Sequence, residues 1–374
     1  MHQGYPVAAS RNVATIGFHC RSDRKLQERK ASAPTQASSM SSPQSQQLPV
    51  LRVTAKDCGA GFFALMIYAI NQIIWAEKNG YVSVVDFGER CRDHRLNRYY
   101  DAAHGPNVWE YYFHPISAGA IASPTSFQLT TKQLFNLHHI SPDSVQTYPH
   151  GVHRALKVPK WRYSEVWHRT MRSRASSLLQ RLVRLKPEPL SVVRSFYHDK
   201  ILSLGTDRPA LGLHLRGTDK LRNIGGRIVQ PEEYHPLIRR YLEKRPNAIL
   251  LIATDSPAFL AQMRAAYGDR LVAYDALRSE RNAFADKRIA NNYKKGEDAL
   301  VDSLLLSCAN FLIKPASALS EFSVYFNGDL HNHTYELQYE VGIPDASTAF
   351  DAHFSSSRDK LRGFARCAPI MRPA

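Results

Sequence analysis

Apolar residues along this chain fall in short blocks set apart by polar turns, and the blocks alternate between strand and helix character. L-P-V-L-R-V-T-A (48–55) reads as a strand, K-D-C-G-A-G as a turn, and the run from Phe62 to Glu77 as an apolar helix. Asn79-Gly80 closes that helix and Y-V-S-V-V-D-F (81–87) forms a second strand, a strand–turn–helix–strand opening. Gly59 and Gly61 stand where a doubly wound sheet would meet a ligand, and equally where a tight turn needs glycine. Trp161 to Leu185 has helical character, broken by Pro187 and Pro189.

The second half is clearer. A-L-G-L-H-L-R (210–216), A-I-L-L-I-A-T-D (248–255), R-L-V-A-Y-D (270–275) and N-F-L-I-K (310–314) have the apolar make-up of buried parallel strands. Helices are predicted between them at 231–244, from Pro257 onward, and at 296–309, with another at 320–326. This alternation predicts an α/β fold of parallel sheets covered on both faces.

Composition sets the boundaries. Residues 31–47 are a Ser/Gln/Pro-rich run with nothing to pack, preceded by six basic residues between Arg11 and Lys30 against Asp23 and Glu28. A basic, acid-poor start can be a transit peptide; a disordered extension is the plainer reading. The expected plan is a disordered basic tail (1–47), two doubly wound lobes (48–189 and 190–345) and a C-terminal extension (346–374).

Lys plus Arg number 49 against 33 Asp plus Glu, a net charge of +16, which implies anionic partners. Twelve of those cations and only three acids lie between Arg154 and Lys200, a stretch read as a solvated helix face or as a polyanion-binding surface. No run of apolar residues is long enough for a membrane span; Gly61–Ala76, interrupted by Asn71 and Gln72, reads as a buried helix. Five cysteines without a C-x-x-C pair leave at least one unpaired within the chain and the redox compartment open. One glycosylation sequon is present at Asn332. Walker A, G-x-S-x-G, H-E-x-x-H and nucleic-acid signatures are all missing, so no metal and no nucleic-acid partner is expected.

Three polar clusters fall at predicted strand ends, where doubly wound sheets bind ligands. H-L-R-G-T-D-K (214–220) offers Arg216, a planar fork for a diphosphate, and Gly217, which lets backbone approach an anion. Thr254-Asp255 ends the next strand, with Asp255 either a ligand contact or a helix cap. In K-P-A-S-A-L-S-E (314–321), Ser hydroxyls and a helix N-terminus can hold phosphate, or Ser320 and Glu321 simply open a helix. His214 is either a functional group or a satisfied core histidine.

These blocks, with V-Q-P-E-E-Y and E-D-A-L-V-D-S-L-L-L-S-C-A in register between them, resemble the donor lobe of GDP-fucose-dependent fucosyltransferases over residues 190–330. The similarity is to the core-fucosylating and nodulation types, with protein O-fucosyltransferases more distant. In the first lobe it extends only to D-C-G-A-G-F-F and N-V-W-E-Y-Y-F. It implies two Rossmann-like lobes facing a cleft (the GT-B arrangement), the first on the acceptor side and the second binding the GDP-sugar. It also implies inversion at the sugar carbon without a metal or other cofactor, GDP-fucose as donor substrate, a glycan or glycoprotein acceptor, and a secretory-pathway setting.

By position, Arg216 would neutralise the diphosphate, His214 and Asp302 would contact guanine, Asp255 would lie near the nucleotide, and Ser317 and Ser320 would meet the phosphates. Arg216, Asp219 and Lys220 are the expected catalytic group, with Asp219 and Glu232 as candidate bases. The chain departs from the family pattern in three places. Gly217 replaces a second arginine, Leu221–Ile224 lacks a carboxylate, and Ser317-Ala318 replaces a Ser-Ser pair. No membrane anchor of the kind usual in secretory fucosyltransferases is visible. The alternatives are a basic polyanion-binding protein with an inactive nucleotide lobe, or the same fold using another sugar nucleotide.

Overall fold

A five-stranded parallel sheet and a three-stranded parallel sheet organise the chain. The computed structural model describes residues 49–55, 59–117, 126–139, 141, 144–145, 165–205, 208–218, 228–281 and 285–337, with backbone only at 139 and 165–169. The tail and the C-terminal extension expected from the sequence lie outside these residues.

The elements, in chain order, begin with β1 (Val50–Thr54), α1 (Phe62–Lys78), β2 (Val82–Asp86), α2 (Trp109–Tyr112), β3 (Ser126–Phe127) and α3 (Thr131–His139). Two longer helices come next, α4 (Glu165–Leu182) and α5 (Pro187–Lys200). Then come β4 (Ala210–Leu215), α6 (Pro231–Lys244), β5 (Ile249–Thr254), α7 (Pro257–Tyr267), β6 (Leu271–Ala273), α8 (Asn292–Ser307), β7 (Phe311–Lys314), α9 (Ala318–Phe326) and β8 (Thr334–Glu336). The expected α/β class is what the chain adopts.

Local chemistry explains where the elements begin and end. Asn79 caps α1 and Gly80 takes φ 74, a conformation in which a Cβ would be strained. Pro187 opens α5, where a missing N–H has no cost. The apolar run read as a buried helix is α1. Its two polar interruptions tie down backbone: Asn71 exchanges hydrogen bonds with the N–H (2.7 Å) and carbonyl (3.1 Å) of Val145, and Gln72 donates to the Thr54 carbonyl (3.2 Å). Among the described residues no helix is long and apolar enough to cross a membrane. Cys91 is disulfide-bonded, and Cys308 is a buried thiol outside any disulfide.

The helix predicted from Gly296 starts earlier, because the Asn291 side chain accepts from the Lys294 N–H (2.8 Å) and caps it. Gly296 therefore sits inside α8, and the Tyr112 ring fills the place of its missing side chain. The Tyr112 hydroxyl donates to the Tyr293 carbonyl (2.6 Å), locking α2 onto the first turn of α8.

The small sheet runs β2-β1-β3, and the large one β6-β5-β4-β7-β8. In order of appearance the large sheet reads third, second, first, fourth, fifth, which is doubly wound, and the direction of winding reverses between β4 and β7. Alternation along β4 sends Leu211, Leu213 and Leu215 to the core under α6 and α7, and turns Ala210, Gly212 and His214 toward α8 and α9. The core on that second side is continuous with the core around α1, where Phe63 meets Phe322 at 4.7 Å between ring centroids. Both sheets fall within one compact unit.

Candidate active site at the carboxyl ends of the large sheet

The reversal between β4 and β7 is where a doubly wound sheet opens a crevice for a ligand, and near it His214 meets Ser320 while Arg216 and Gly217 meet Asp255. His214, the penultimate residue of β4, is 2% exposed. Its Nδ1 lies 2.8 Å from the Ser320 hydroxyl of α9, and its carbonyl accepts from the Tyr234 hydroxyl (2.7 Å). Residues 106 apart in the chain thus meet across the switch point.

Asp255, just past β5, organises the loop after β4. One carboxylate oxygen accepts from the Gly217 N–H (2.8 Å); the other accepts from the Thr218 hydroxyl (2.7 Å) and lies 3.3 Å from Arg216 Nε. Capping of α7 falls instead to Ser256, whose Oγ accepts from the Phe259 N–H (3.2 Å). Gly217 is required here by space. A Cβ would stand 2.8 Å from Ser256 Cβ and 3.0 Å from the Phe259 ring, so no second arginine could follow Arg216. That accounts for the first departure from the fucosyltransferase pattern. Asp219, Lys220 and the 221–224 stretch lie outside the described residues. Glu232, in the first turn of α6, is on the surface and bonded to Gln262, with its carboxyl held below the usual range chiefly by its own backbone N–H.

The turn from β7 into α9 supplies the other wall. Ser317 occupies the N-cap position but its hydroxyl does not cap the helix. Its carbonyl instead accepts from the Glu321 N–H (3.0 Å) and the Ser320 hydroxyl (3.4 Å). The first N–H groups of α9 have no acceptor within the helix, and they carry the positive end of its dipole. Lys314 turns away from the crevice and is wholly buried among carboxylates. Glu321 faces the same way, so it does more than open a helix.

Asp302 faces the site from α8 and differs from every other charged residue there. It is 7% exposed, makes no hydrogen bond or ion pair with any described residue, and its oxygens are not sealed from solvent. Burial pushes its carboxyl well above the ordinary value; Arg278 and Lys294 pull it down, while Asp298 and Asp255 push it up. A buried carboxylate without donors is costly, and one kept at a ligand crevice is suited to a ligand that brings the donors.

Three residues near Asp302 were not foreseen. Lys294 donates to the Tyr274 hydroxyl (2.7 Å), to Glu297 (3.0 Å) and to Asp298. Asp298 also accepts from the Leu277 N–H (2.7 Å), which fixes the segment after β6 against α8. Arg278 is folded onto the carbonyls of Tyr274 (2.6 Å) and Ala276 (2.9 Å). The signal available in the sequence was the four-residue spacing of Lys294, Asp298 and Asp302 along one face of a helix.

Of the basic run between 154 and 200, Arg172 is buried in ion pairs and Arg181 is bidentate on Glu77 (2.5 and 2.8 Å), so neither is a loose surface charge.

No protein-family model matches the chain, and no curated protein matches it. Among solved structures, the chain is similar to the fucosyltransferase NodZ from Bradyrhizobium, with 15% identity and a TM-score of 0.42 over 74% of this chain and 92% of that one. NodZ alpha-1,6-fucosyltransferase co-crystallized with GDP gives the same values. The same enzyme soaked with GDP-fucose gives 14% identity and a TM-score of 0.41 over 75% and 92%. At these scores the likeness is distant, and the ligand must be argued from the site's own residues.

Proposed function

We propose that the chain is an inverting glycosyltransferase that moves fucose from GDP-fucose to a hydroxyl of a glycan or glycoprotein. The observation that carries the nucleotide assignment is the unpartnered Asp302. Guanine presents two adjacent donors, N1–H and the N2 amino group, on one edge, and a carboxylate accepts both. Uracil and adenine lack that pair, so the site favours guanine over the other common sugar-nucleotide bases. His214 and Ser320 stand on the opposite wall.

The diphosphate would lie between Arg216 and the head of α9. Asp255 holds the Arg216 guanidinium (Nε 3.3 Å) at the end of the large sheet, where its planar fork suits a diphosphate. As an acceptor oxygen attacks the sugar carbon and the bond to GDP breaks, negative charge grows on the departing phosphate. Arg216, the amides of α9 and the Ser317 hydroxyl meet it there. Lys220 is proposed to add a second cation. The sugar, the inversion and independence of a metal rest on the sequence resemblance of residues 190–330. The acceptor is proposed to approach from the side of the smaller sheet. A disulfide at Cys91 suits an oxidising compartment.

Arg216→Ala tests the proposal. Asp255 keeps its bonds to Gly217 and Thr218, so the loop and the fold should persist. Donor turnover with GDP-fucose should fall by at least about 10²-fold, the usual effect of removing one charge-stabilising donor. Unchanged turnover by the folded variant would sink the assignment.

A further inference from the structure

Four charged side chains from four elements close into a buried, electrically balanced cluster beneath the turn that leads into α9. Arg172 of α4 places its fork on both oxygens of Glu321, Nε to Oε1 at 2.7 Å and Nη2 to Oε2 at 3.0 Å, and Nη2 also reaches Glu336 of β8 at 3.4 Å. Lys314, the last residue of β7, contacts Glu321 (2.8 Å), Glu336 (3.0 Å) and the carbonyl of Pro315 (3.4 Å). None of Arg172, Lys314 and Glu321 is more than 7% exposed.

We infer that Arg172 is a positioning residue that, through Glu321 and Lys314, sets the turn receiving the diphosphate. The inference rests on the donor site proposed above and adds to it a residue from α4. The cluster grips the turn at both ends. Lys314 holds the carbonyl of Pro315 where the chain leaves β7. Glu321 lies one residue beyond Ser320, and its N–H bonds the Ser317 carbonyl (3.0 Å). A shift of the Glu321 carboxylate therefore moves Ser317, Ser320 and the free amides of α9 together.

Stability alone does not explain such a cluster, because buried ion pairs can often be replaced by apolar side chains without loss. What a bidentate guanidinium supplies is direction, two parallel bonds that fix the carboxylate plane. Lysine keeps the charge but not the fork.

The experiment compares the wild type with Arg172→Lys and with Arg172→Met/Glu336→Gln, which leaves the Lys314–Glu321 pair balanced. Affinity for GDP and for guanosine is measured by titration calorimetry, after circular dichroism and Tm have established that each variant folds. The expected result is a loss of about tenfold or more in GDP affinity, with guanosine affinity within about twofold of wild type, because the turn holds phosphates and not the base. Wild-type GDP affinity in a folded variant, or equal losses for GDP and guanosine, would overturn the inference. A wild-type protein that binds no GDP would overturn the donor site itself, and the inference with it.

Discussion

Asp302→Asn should weaken guanine-nucleotide binding by about 10²-fold or more while making the free protein more stable. The two effects have one cause. In the free protein the carboxylate is buried without a donor, so its charged form is penalised, as the upward shift of its pKa records. Asparagine is nearly the same size and carries no charge to desolvate, so Tm should rise. The amide, however, presents one acceptor and one donor where guanine needs two acceptors. Two charge-assisted hydrogen bonds are lost, each worth roughly 1.5–3 kcal/mol, so GDP affinity should fall by about 10²-fold or more.

The pH dependence has a definite sign in each measurement. Between the unfolded pKa of an aspartate and the raised folded value, the folded state binds more protons than the unfolded one. Its contribution to stability is therefore greatest at low pH and is lost as pH rises through the folded pKa. The advantage of Asp302→Asn in Tm should widen as pH increases. GDP binding runs the other way, since donors from guanine require the ionised carboxylate. Wild-type affinity should strengthen with pH until Asp302 is fully ionised, and the residual binding of the variant should lack that rise. Calorimetry across pH checks the second trend and thermal melts the first; a variant that keeps both GDP affinity and its pH profile would remove Asp302 from the site.

Gly296→Ala should destabilise the protein, against the usual preference of helices for alanine. In an open helix the change would gain about 1 kcal/mol. Here the new methyl would stand 2.8 Å from Tyr112 Cζ and nearer still to its hydroxyl. Tyr112 cannot give way freely, because its hydroxyl is bonded to the Tyr293 carbonyl at 2.6 Å and its ring meets Phe62 edge-on at 5.2 Å. Overpacking of this kind costs about 1–3 kcal/mol, enough to reverse the propensity gain. Urea unfolding measures it. The nearest obstacle is the hydroxyl, so Gly296→Ala should cost less in a Tyr112→Phe background, a coupling that a double-mutant cycle reads directly. A more stable Gly296→Ala protein would mean that the ring is not held where it stands.

The large sheet was legible because its strands are short apolar runs and its helices carry their own stop and start residues. Arg216, Gly217, Asp255 and Ser317 could be placed at strand and helix ends from those runs alone; Asp302, in the interior of α8, was singled out only by the family resemblance. The choice between their roles was not legible, because it depends on partners far along the chain. Asp255 and Ser256 are adjacent, and only the packed structure shows that the serine caps while the aspartate binds the loop after β4. Arg172 looked like one more cation in a basic stretch, since its partners Glu321 and Glu336 are about 150 residues away. The short β8, in sequence little more than T-Y-E, is a strand only because β7 pairs with it. Pro187 read as a breaker; its second role, opening α5, comes from its missing N–H, which only the first turn of a helix tolerates.

The Tyr112 lock and the Arg172 cluster bear on how far the chain can be taken apart. A fragment spanning 190–345 would contain every strand of the large sheet, yet it would lack both residues. The slot at Gly296 would be empty, leaving a cleft in the helix that carries Asp302. Glu321 and Glu336 would share a single buried cation and so hold an unbalanced negative charge. The half of the chain that carries the proposed nucleotide site is therefore not an autonomous module: its folding awaits contributions made by residues 112 and 172, so shuffling or truncating the first part of the chain should unmake the proposed donor site in the second.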